Sequence, residues 1–270
     1  MVTQYMEDYL HMEDILKLKN KNIVVMGVAN EYSLAWGVAQ SLYNTGANVI
    51  YTYRSDRSLK KLTDIINKNN LPQPLVVQCD ANDDVSIHKA FQQIGESVGT
   101  IHGIVHSLAS SNKEDLRGDF INTSREGYAF AQDTSAYSLI AVAREAKPYM
   151  TEGGSIITMS YLGAERAVPG YNVMGVAKAA LESSVKYLSL DLGKDNIRIN
   201  AISAGPVKTV SAKGVGSLNE IINKVEEVAP LKKKVTKEEV GDMSVAMLSH
   251  LSRGVTGEVV YVDSGFNILG

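Results

Sequence analysis

The sequence predicts a doubly wound parallel α/β sheet of about seven strands, with helices on both faces. Three observations predict it. Short β-branched runs alternate with longer stretches of helical period along the whole chain. Several of those runs are apolar without interruption, as in parallel strands covered on both sides. A glycine, Gly27, stands where the first run must turn into a helix.

Strand signals fall at Asn22–Met26, Asn48–Tyr53, Leu75–Gln78, Gly103–His106, Ser155–Thr158, Arg198–Ile202 and Val259–Val262. Helical signals lie between them, at Ser33–Gly46, Asp84–Val98, Ser124–Met150, Tyr171–Gly193 and Thr236–His250. Thr236 followed by Glu239 reads as a capping box for the last of these. Repeated β-then-α order requires right-handed crossovers, which gives a sheet of Rossmann type. Neither an internal repeat nor a Pro-, Gly- or Ser-rich linker divides the chain. The expected organisation is a short extension over 1–17, helical or frayed, and a single dinucleotide-binding domain over 18–270. The glycine-bearing stretch 205–218 follows a strand and is a candidate substrate-covering loop, because ligands of such folds bind outside the carboxyl ends of the strands.

At 270 residues, 44% hydrophobic and 21% charged, the composition is that of a globular protein with ample core. A net charge of −3 without a strongly basic segment argues against nucleic acid as partner. Lys232-Lys233-Lys234 reads as a solvated loop. Cys79, the single cysteine, excludes an internal disulfide and sits in an apolar run as a small buried hydrophobe. The histidines lack metal-ligand spacing, so no metal is expected. No apolar stretch is long enough to span a bilayer, and the acidic N-terminus lacks a signal-peptide core, so a cytoplasmic enzyme is expected.

Past the first strand the chain reads Gly27-Val28-Ala29-Asn30-Glu31-Tyr32-Ser33-Leu34-Ala35-Trp36-Gly37. Gly27 permits a tight turn, Ser33 is placed to cap the next helix, and that helix start offers N–H groups to a pyrophosphate. Ala35 and Gly37 allow the helix to approach the sheet closely. A plain strand–turn–helix accounts for this stretch equally well. Arg54, just past the second strand, suits a ribose 2′-phosphate and favours NADPH over NADH, although Asp56 is close by and a solvated surface charge is the alternative. Asp80-Ala81, past the third strand, places a carboxylate where it can accept from an adenine amino group.

The sharpest pattern is Tyr161 together with Tyr171 and Lys178. On one helix, seven residues leave Tyr171 and Lys178 about 20° apart around the axis and roughly 10 Å apart along it. A phenol and an ammonium on one helix face at the carboxyl edge of the sheet make a reductase site. The lysine holds the nicotinamide ribose hydroxyls, and its charge favours the phenol as donor or acid. In the common short-chain dehydrogenase spacing, the phenol stands four residues before the lysine. Here that position is Met174, which has no proton to give. A phenol one turn further back suits an oxygen remote from the hydride-accepting carbon, as in an α,β-unsaturated thioester.

These residues resemble the bacterial enoyl-acyl-carrier-protein reductases of the FabI type, a divergent branch of the short-chain dehydrogenase/reductase superfamily. The resemblance runs from about Leu18 to Phe266. It rests on Gly27-x5-Ser33-x-Ala35-x-Gly37, Ser160 through Glu165, Tyr171 through Lys178, and Asn200 through Pro206. It implies NAD(P)H-dependent reduction of trans-2-enoyl thioesters on acyl-carrier protein in fatty acid biosynthesis, by a homotetramer. Tyr171 then binds the thioester carbonyl, Tyr161 is the second active-site tyrosine, and Lys178 binds the ribose. Gly27, Ser33, Leu34, Asp80, Ala81, Leu108 and Val207-Lys208-Thr209-Val210-Ser211 match cofactor-contacting positions. Ser110, Ser111 and Met174 match the substrate pocket. Ser110-Ser111 depart from the Phe-Ala that relatives typically carry there, which enlarges the acyl pocket and makes it more polar. Two other readings stay open on the sequence: a carbonyl or ketoacyl reductase, and a catalytically silent nucleotide-binding sensor or scaffold.

Overall fold

The structure is a computed structural model and describes residues 15–209 and 218–269. Seven parallel strands form one sheet in the order β3-β2-β1-β4-β5-β6-β7. They are β1 (Asn22–Met26), β2 (Asn48–Tyr53), β3 (Val76–Gln78), β4 (Gly103–His106), β5 (Gly154–Ser160), β6 (Ile197–Ala204) and β7 (Val259–Val262). Every predicted strand is present. β5 and β6 are each longer than expected at both ends, because they pair with each other over seven registered positions, Gly154↔Ile197 to Ser160↔Ser203.

The uninterrupted apolar runs have the expected cause. Ile23 and Val25 of β1 face a core that holds Trp36, Val38 and Leu42. Val24 and Met26 face the opposite core, with Phe91, Ile94 and Val142. A strand whose alternate residues serve two cores has no polar side to show.

Eight α-helices are described: α1 (Leu34–Tyr43), α2 (Asp56–Lys68), α3 (Asp84–Val98), α4 (Arg125–Gln132), α5 (Ser138–Ala146), α6 (Asn172–Gly193), α7 (Leu218–Val228) and α8 (Lys237–Leu248). The capping box at Thr236 and Glu239 is formed. Two helices were not anticipated. α2 carries its signal in Leu62, Ile65 and Ile66 on one face and in the Ser55 N–H donating to Ser58 Oγ at 2.8 Å. The other is α7. The long helix expected over Ser124–Met150 is instead divided by a π turn at Asp133–Tyr137. There, hydroxyls compete with the helical ladder: Ser135 Oγ bonds the Ser110 backbone outside it, and Ser138 Oγ bonds back to the Thr134 carbonyl one turn earlier at 2.7 Å.

Lys232, Lys233 and Lys234 lie on an exposed loop. Lys233 pairs with Glu239, Lys234 with Glu226, and Lys232 Nζ donates to the Glu227 carbonyl. Cys79 is buried, and burial pushes its thiol up to about 12. No described helix is long and apolar enough to cross a membrane. Of the N-terminal segment, residues 1–14 lie outside the described residues. Leu18 is already in the core beside β1.

Candidate active site

Strand order reverses between β1 and β4, and the chain ends of these two strands meet there. Gly27 follows β1 with φ +94°, and a β-carbon on it would stand 2.1 Å from the Ser107 carbonyl oxygen beyond β4. Only glycine fits, by conformation and by space. The two loops therefore close on each other and make the floor of a cavity of about 390 Å³. This is the crevice at the switch point of an open α/β sheet.

On the β1 side, Ser33 stands at the N-cap of α1 but does not cap it. Its hydroxyl donates to the Asn30 carbonyl at 2.6 Å, so the first-turn N–H groups of α1 receive no side-chain cap. That leaves them available to an anion, in better accord with a pyrophosphate site than capping would be. The small residue at Gly37 serves helix–helix rather than helix–sheet packing. A β-carbon on Gly37 would lie 2.4 Å from the Lys237 carbonyl of α8, and one on Gly241 would lie 2.6 Å from the Gly37 carbonyl.

On the β5 side, the strand passes through Met159 and Ser160 into Tyr161 and a 3-10 turn, Leu162–Ala164. Tyr171 occupies the N-cap of α6 rather than its first turn, and Asn172 after it has φ +39°. Continuous helical geometry therefore does not extend from Lys178 back to Tyr171. The phenol is placed by packing instead. Its ring meets that of Tyr161 edge to face, with centroids 4.8 Å apart and planes at 71°. A β-carbon on Gly163 would lie 2.4 Å from Tyr171 Cδ1, and one on Gly175 would lie 2.7 Å from the Gly163 carbonyl. Two glycines thus let the 3-10 turn dock on α6 with the tyrosines between them.

Burial holds both phenols well above the usual tyrosine range. For Tyr171, the neighbouring Tyr161 and Glu182 push the same way, so it stays a hydrogen-bond donor. Desolvation dominates here, which favours the donor role for this phenol over the acid one. Lys178 is 4% exposed, and Nζ donates to the Met159 carbonyl at 2.7 Å. Burial pulls its ammonium down to about 8, against the opposing charge of Glu182. An ammonium carries three donors, so two remain for a ligand.

Met174 is buried in the slot four residues before Lys178 and accepts from Ser135 Oγ at 3.7 Å. The same hydroxyl accepts from the Ser110 N–H at 3.1 Å, and the Ser110 carbonyl at 3.2 Å competes with the Met174 sulfur for its single proton. His106, one residue before the floor, is fully buried between Thr158 Oγ1 and Ser138 Oγ, each at 2.9 Å. Both neighbours also have a carbonyl to donate to, Thr134 for Ser138 and His106 itself for Thr158, and burial keeps the ring neutral.

Of the expected residues, Gly27, Ser33, Leu34, Leu108, Ser110, Ser111, Tyr161, Tyr171, Met174, Lys178, Val207 and Thr209 all line the one cavity. Arg54, Asp80, Ala81 and Lys208 do not. Arg54 is exposed beyond β2, and Asp80 is half-buried beyond β3, with Oδ1 accepting from the Asn82 N–H at 3.1 Å. Val210 and Ser211 lie outside the described residues. The cavity also takes in Asn30, Ser107, Lys113, Leu116, Met159, Ser160 and Ile221, which sequence reasoning had not selected. Ser107, Met159 and Ser160 were open to discovery, since they stand at the carboxyl ends of β4 and β5.

A family model described as Enoyl-(Acyl carrier protein) reductase matches residues 27–267. The chain belongs to the enoyl-(acyl carrier protein) reductase family. Its relatives in that family include the enoyl-[acyl-carrier-protein] reductase [NADH] FabI of Bacillus cereus. That protein is 54% identical over 253 residues, spanning 94% of this chain and 99% of the relative. The enoyl-[acyl-carrier-protein] reductase [NADPH] FabI of Staphylococcus aureus (strain MRSA252) is 54% identical over 255 residues, covering 94% and 100%. The crystal structure of the Bacillus cereus enoyl-acyl carrier protein reductase with NADP+ and indole naphthyridinone superposes with a TM-score of 0.92. It is 54% identical and covers 94% of this chain and 98% of that one. The reductase family thus includes proteins named for each nicotinamide cofactor, and this chain shares its fold nearly end to end.

Proposed function

We propose that this protein reduces trans-2-enoyl thioesters carried by acyl-carrier protein, in the cytoplasm, as a step of fatty acid biosynthesis, with NADPH favoured over NADH. The observation that carries the reading is the edge-to-face pair Tyr161 and Tyr171 beside buried Lys178, with Met174 in the slot where a carbonyl reductase needs a phenol. The residues fit a nicotinamide dinucleotide: the floor at Gly27 excludes any side chain, the start of α1 lacks a side-chain cap, and Lys178 keeps donors free. When bound, the cofactor supplies the hydride to the β-carbon of the enoyl group.

The protein's own contribution is binding and charge stabilisation. Tyr171, held protonated by burial, donates to the thioester carbonyl oxygen and stabilises the enolate charge that develops there. Tyr161 braces that ring by its edge contact. Lys178 holds the ribose hydroxyls. Gly27, Ser33, Leu34 and Leu108 line the nucleotide side, Val207 and Thr209 border it from the β6 side, and Lys208, Val210 and Ser211 complete the proposed set of cofactor contacts. Arg54 holds a 2′-phosphate, and Asp80 with Ala81 receives the adenine. Ser110, Ser111 and Met174 border the acyl chain. Residues 18–270 act as a single catalytic domain, with 205–218 as its substrate-binding loop and 1–17 as an extension, and the working assembly is a homotetramer.

The decisive experiment follows loss of cofactor absorbance with crotonyl and longer enoyl thioesters, with NADPH and NADH side by side. A 3-ketoacyl thioester serves as the comparison substrate. Enoyl reduction without ketoacyl reduction is expected. Ketoacyl reduction alone would reassign the enzyme to the carbonyl reductases, and binding of cofactor without turnover of either class would make it a silent nucleotide-binding protein.

A further inference from the structure

Buried ionisable side chains are uncommon unless something compensates them, and α6 carries two, one helical turn apart. Lys178 is 4% exposed and Glu182 is 8% exposed. Both point at the end of β5, where each is tied to one of two consecutive residues. Lys178 Nζ donates to the Met159 carbonyl at 2.7 Å, and the Glu182 carboxylate accepts from Ser160 Oγ at 2.5 Å. Among the described residues, neither forms an ion pair within 4 Å, with the other or with any other side chain. A glutamine would take the Ser160 hydrogen bond equally well, so that bond gives no reason for a carboxylate. What the carboxylate adds is charge.

We propose that Glu182 is a positioning residue of the reductase site, a buried anion set one turn behind Lys178 that keeps the lysine in its charged, three-donor form. The proposal rests on the reading of Lys178 as the ribose-binding residue.

The surroundings leave this role to Glu182. Facing Lys178 are His106 of β4, which burial keeps neutral, and the phenols of Tyr161 and Tyr171, which are neutral as well. Facing Glu182 are Ser160 of β5, Glu165 beyond the 3-10 turn, Lys186 on its own helix and Tyr261 of β7. Glu165 has the same sign as Glu182, and Lys186 is exposed, where solvent screens it. Burial acts to strip the proton from Lys178 near neutral pH. It also raises the Glu182 carboxyl, which the Ser160 hydrogen bond and Lys178 itself pull back toward the anion, and that anion is the charge that opposes the loss. A neutral amine offers two N–H groups instead of three, and one is already committed to Met159.

The test is Glu182→Gln, which keeps shape and hydrogen bond but removes the charge, beside Ser160→Ala, which does the reverse. Cofactor affinity is measured by fluorescence titration from pH 6 to 9.5, and kcat/KM for the cofactor over the same range. In Glu182→Gln the alkaline fall of both should move down by on the order of one pH unit, with little change at pH 6. In Ser160→Ala the alkaline fall should stay in place, whatever the loss in rate. Superposition of the Glu182→Gln and wild-type profiles would overturn the proposal, as would an equal shift in Ser160→Ala. Thermal unfolding confirms that each variant is folded. If Glu182→Gln is not, Glu182→Asp takes its place as the charge-retaining form and should keep the wild-type alkaline limb. A wild-type protein that reduces no enoyl thioester would refute the functional reading, while the binding titrations would still decide the role of Glu182.

Discussion

Gly163 and Tyr171 are in contact across the mouth of the cavity so closely that one added carbon has nowhere to go: a β-carbon at 163 would sit 2.4 Å from Tyr171 Cδ1. Gly163 has no chemistry of its own, yet it decides where the phenol stands. Gly163→Ala should displace the ring and lower turnover by on the order of 10-fold to 100-fold. Cofactor affinity should be nearly unchanged, since Lys178 and the Gly27 floor are untouched. Steady-state kinetics beside a cofactor titration check this, and unchanged turnover would show that the ring is not held from this side.

The two central residues should separate by phenotype. Tyr171→Phe keeps the ring contact with Tyr161 and deletes only the donor, so turnover should fall by about 10²-fold or more while cofactor binding holds. Lys178→Ala should weaken cofactor binding as well as turnover. Near-native activity in Tyr171→Phe would remove Tyr171 from the mechanism.

Cofactor choice is expected to turn on Arg54. Its backbone is fixed by the Ser58 hydroxyl and the Gln78 amide, while its exposed guanidinium has no partner among the described residues. Arg54→Ala should weaken NADPH by roughly 10-fold or more and NADH far less. If both weaken alike, the 2′-phosphate is held elsewhere, with Arg57 and Lys208 the next positions to replace.

Ser110 should set acyl preference by volume. Only its backbone is engaged, through Ser135, so a larger side chain can be introduced without breaking those bonds. Ser110→Phe should raise kcat/KM on short linear enoyl thioesters and lower it on long or branched ones. The size expected is that of small apolar differences, about 1–3 kcal/mol. An unchanged chain-length profile would place the acyl chain away from this loop.

The buried His106 predicts an acid limb in stability. Burial, and secondarily the charge of Lys178, lowers its pKa from 6.5 to about 3 in the folded protein. Between those values the unfolded chain binds the extra proton, so stability falls as pH drops through that window, by at most about 1.4 kcal/mol per pH unit. Urea midpoints at pH 7, 6 and 5 should decline more steeply in the wild type than in His106→Asn. Parallel declines would assign the acid limb to other groups.

The sheet was readable because its signal is local: β1, with Ile23 to Met26 apolar throughout, cannot be anything but a strand covered twice. The three residues named from the sequence, Tyr161 and Tyr171 beside element ends and Lys178 two turns into a helix, do come to line one cavity. Their manner of placement was not readable. Tyr171 sits beyond the helix, turned by Asn172 and fixed by Gly163, and no periodicity encodes a contact between a turn and a helix start. The π turn at Asp133–Tyr137 escaped for a similar reason, because Ser135 reads as an ordinary helical serine until the Ser110 loop is brought against it. Gly37 was recognised as a close-packing residue but assigned to the wrong neighbour, since a missing side chain does not say what approaches it.

The contact between Gly27 and Ser107 has a consequence for how the protein is made. Parallel strands cannot zip up as hairpins, and β1 reaches its partner β4 only after β2, β3 and their crossover helices have been synthesised between them. The floor of the cavity therefore cannot exist until β4 has been made. A dinucleotide that recognises this floor recognises the β1–β4 pairing and nothing before it, so its binding energy favours chains that have made that pairing. The cellular supply of cofactor would then act as a stabiliser that only molecules with β1 and β4 correctly joined can claim.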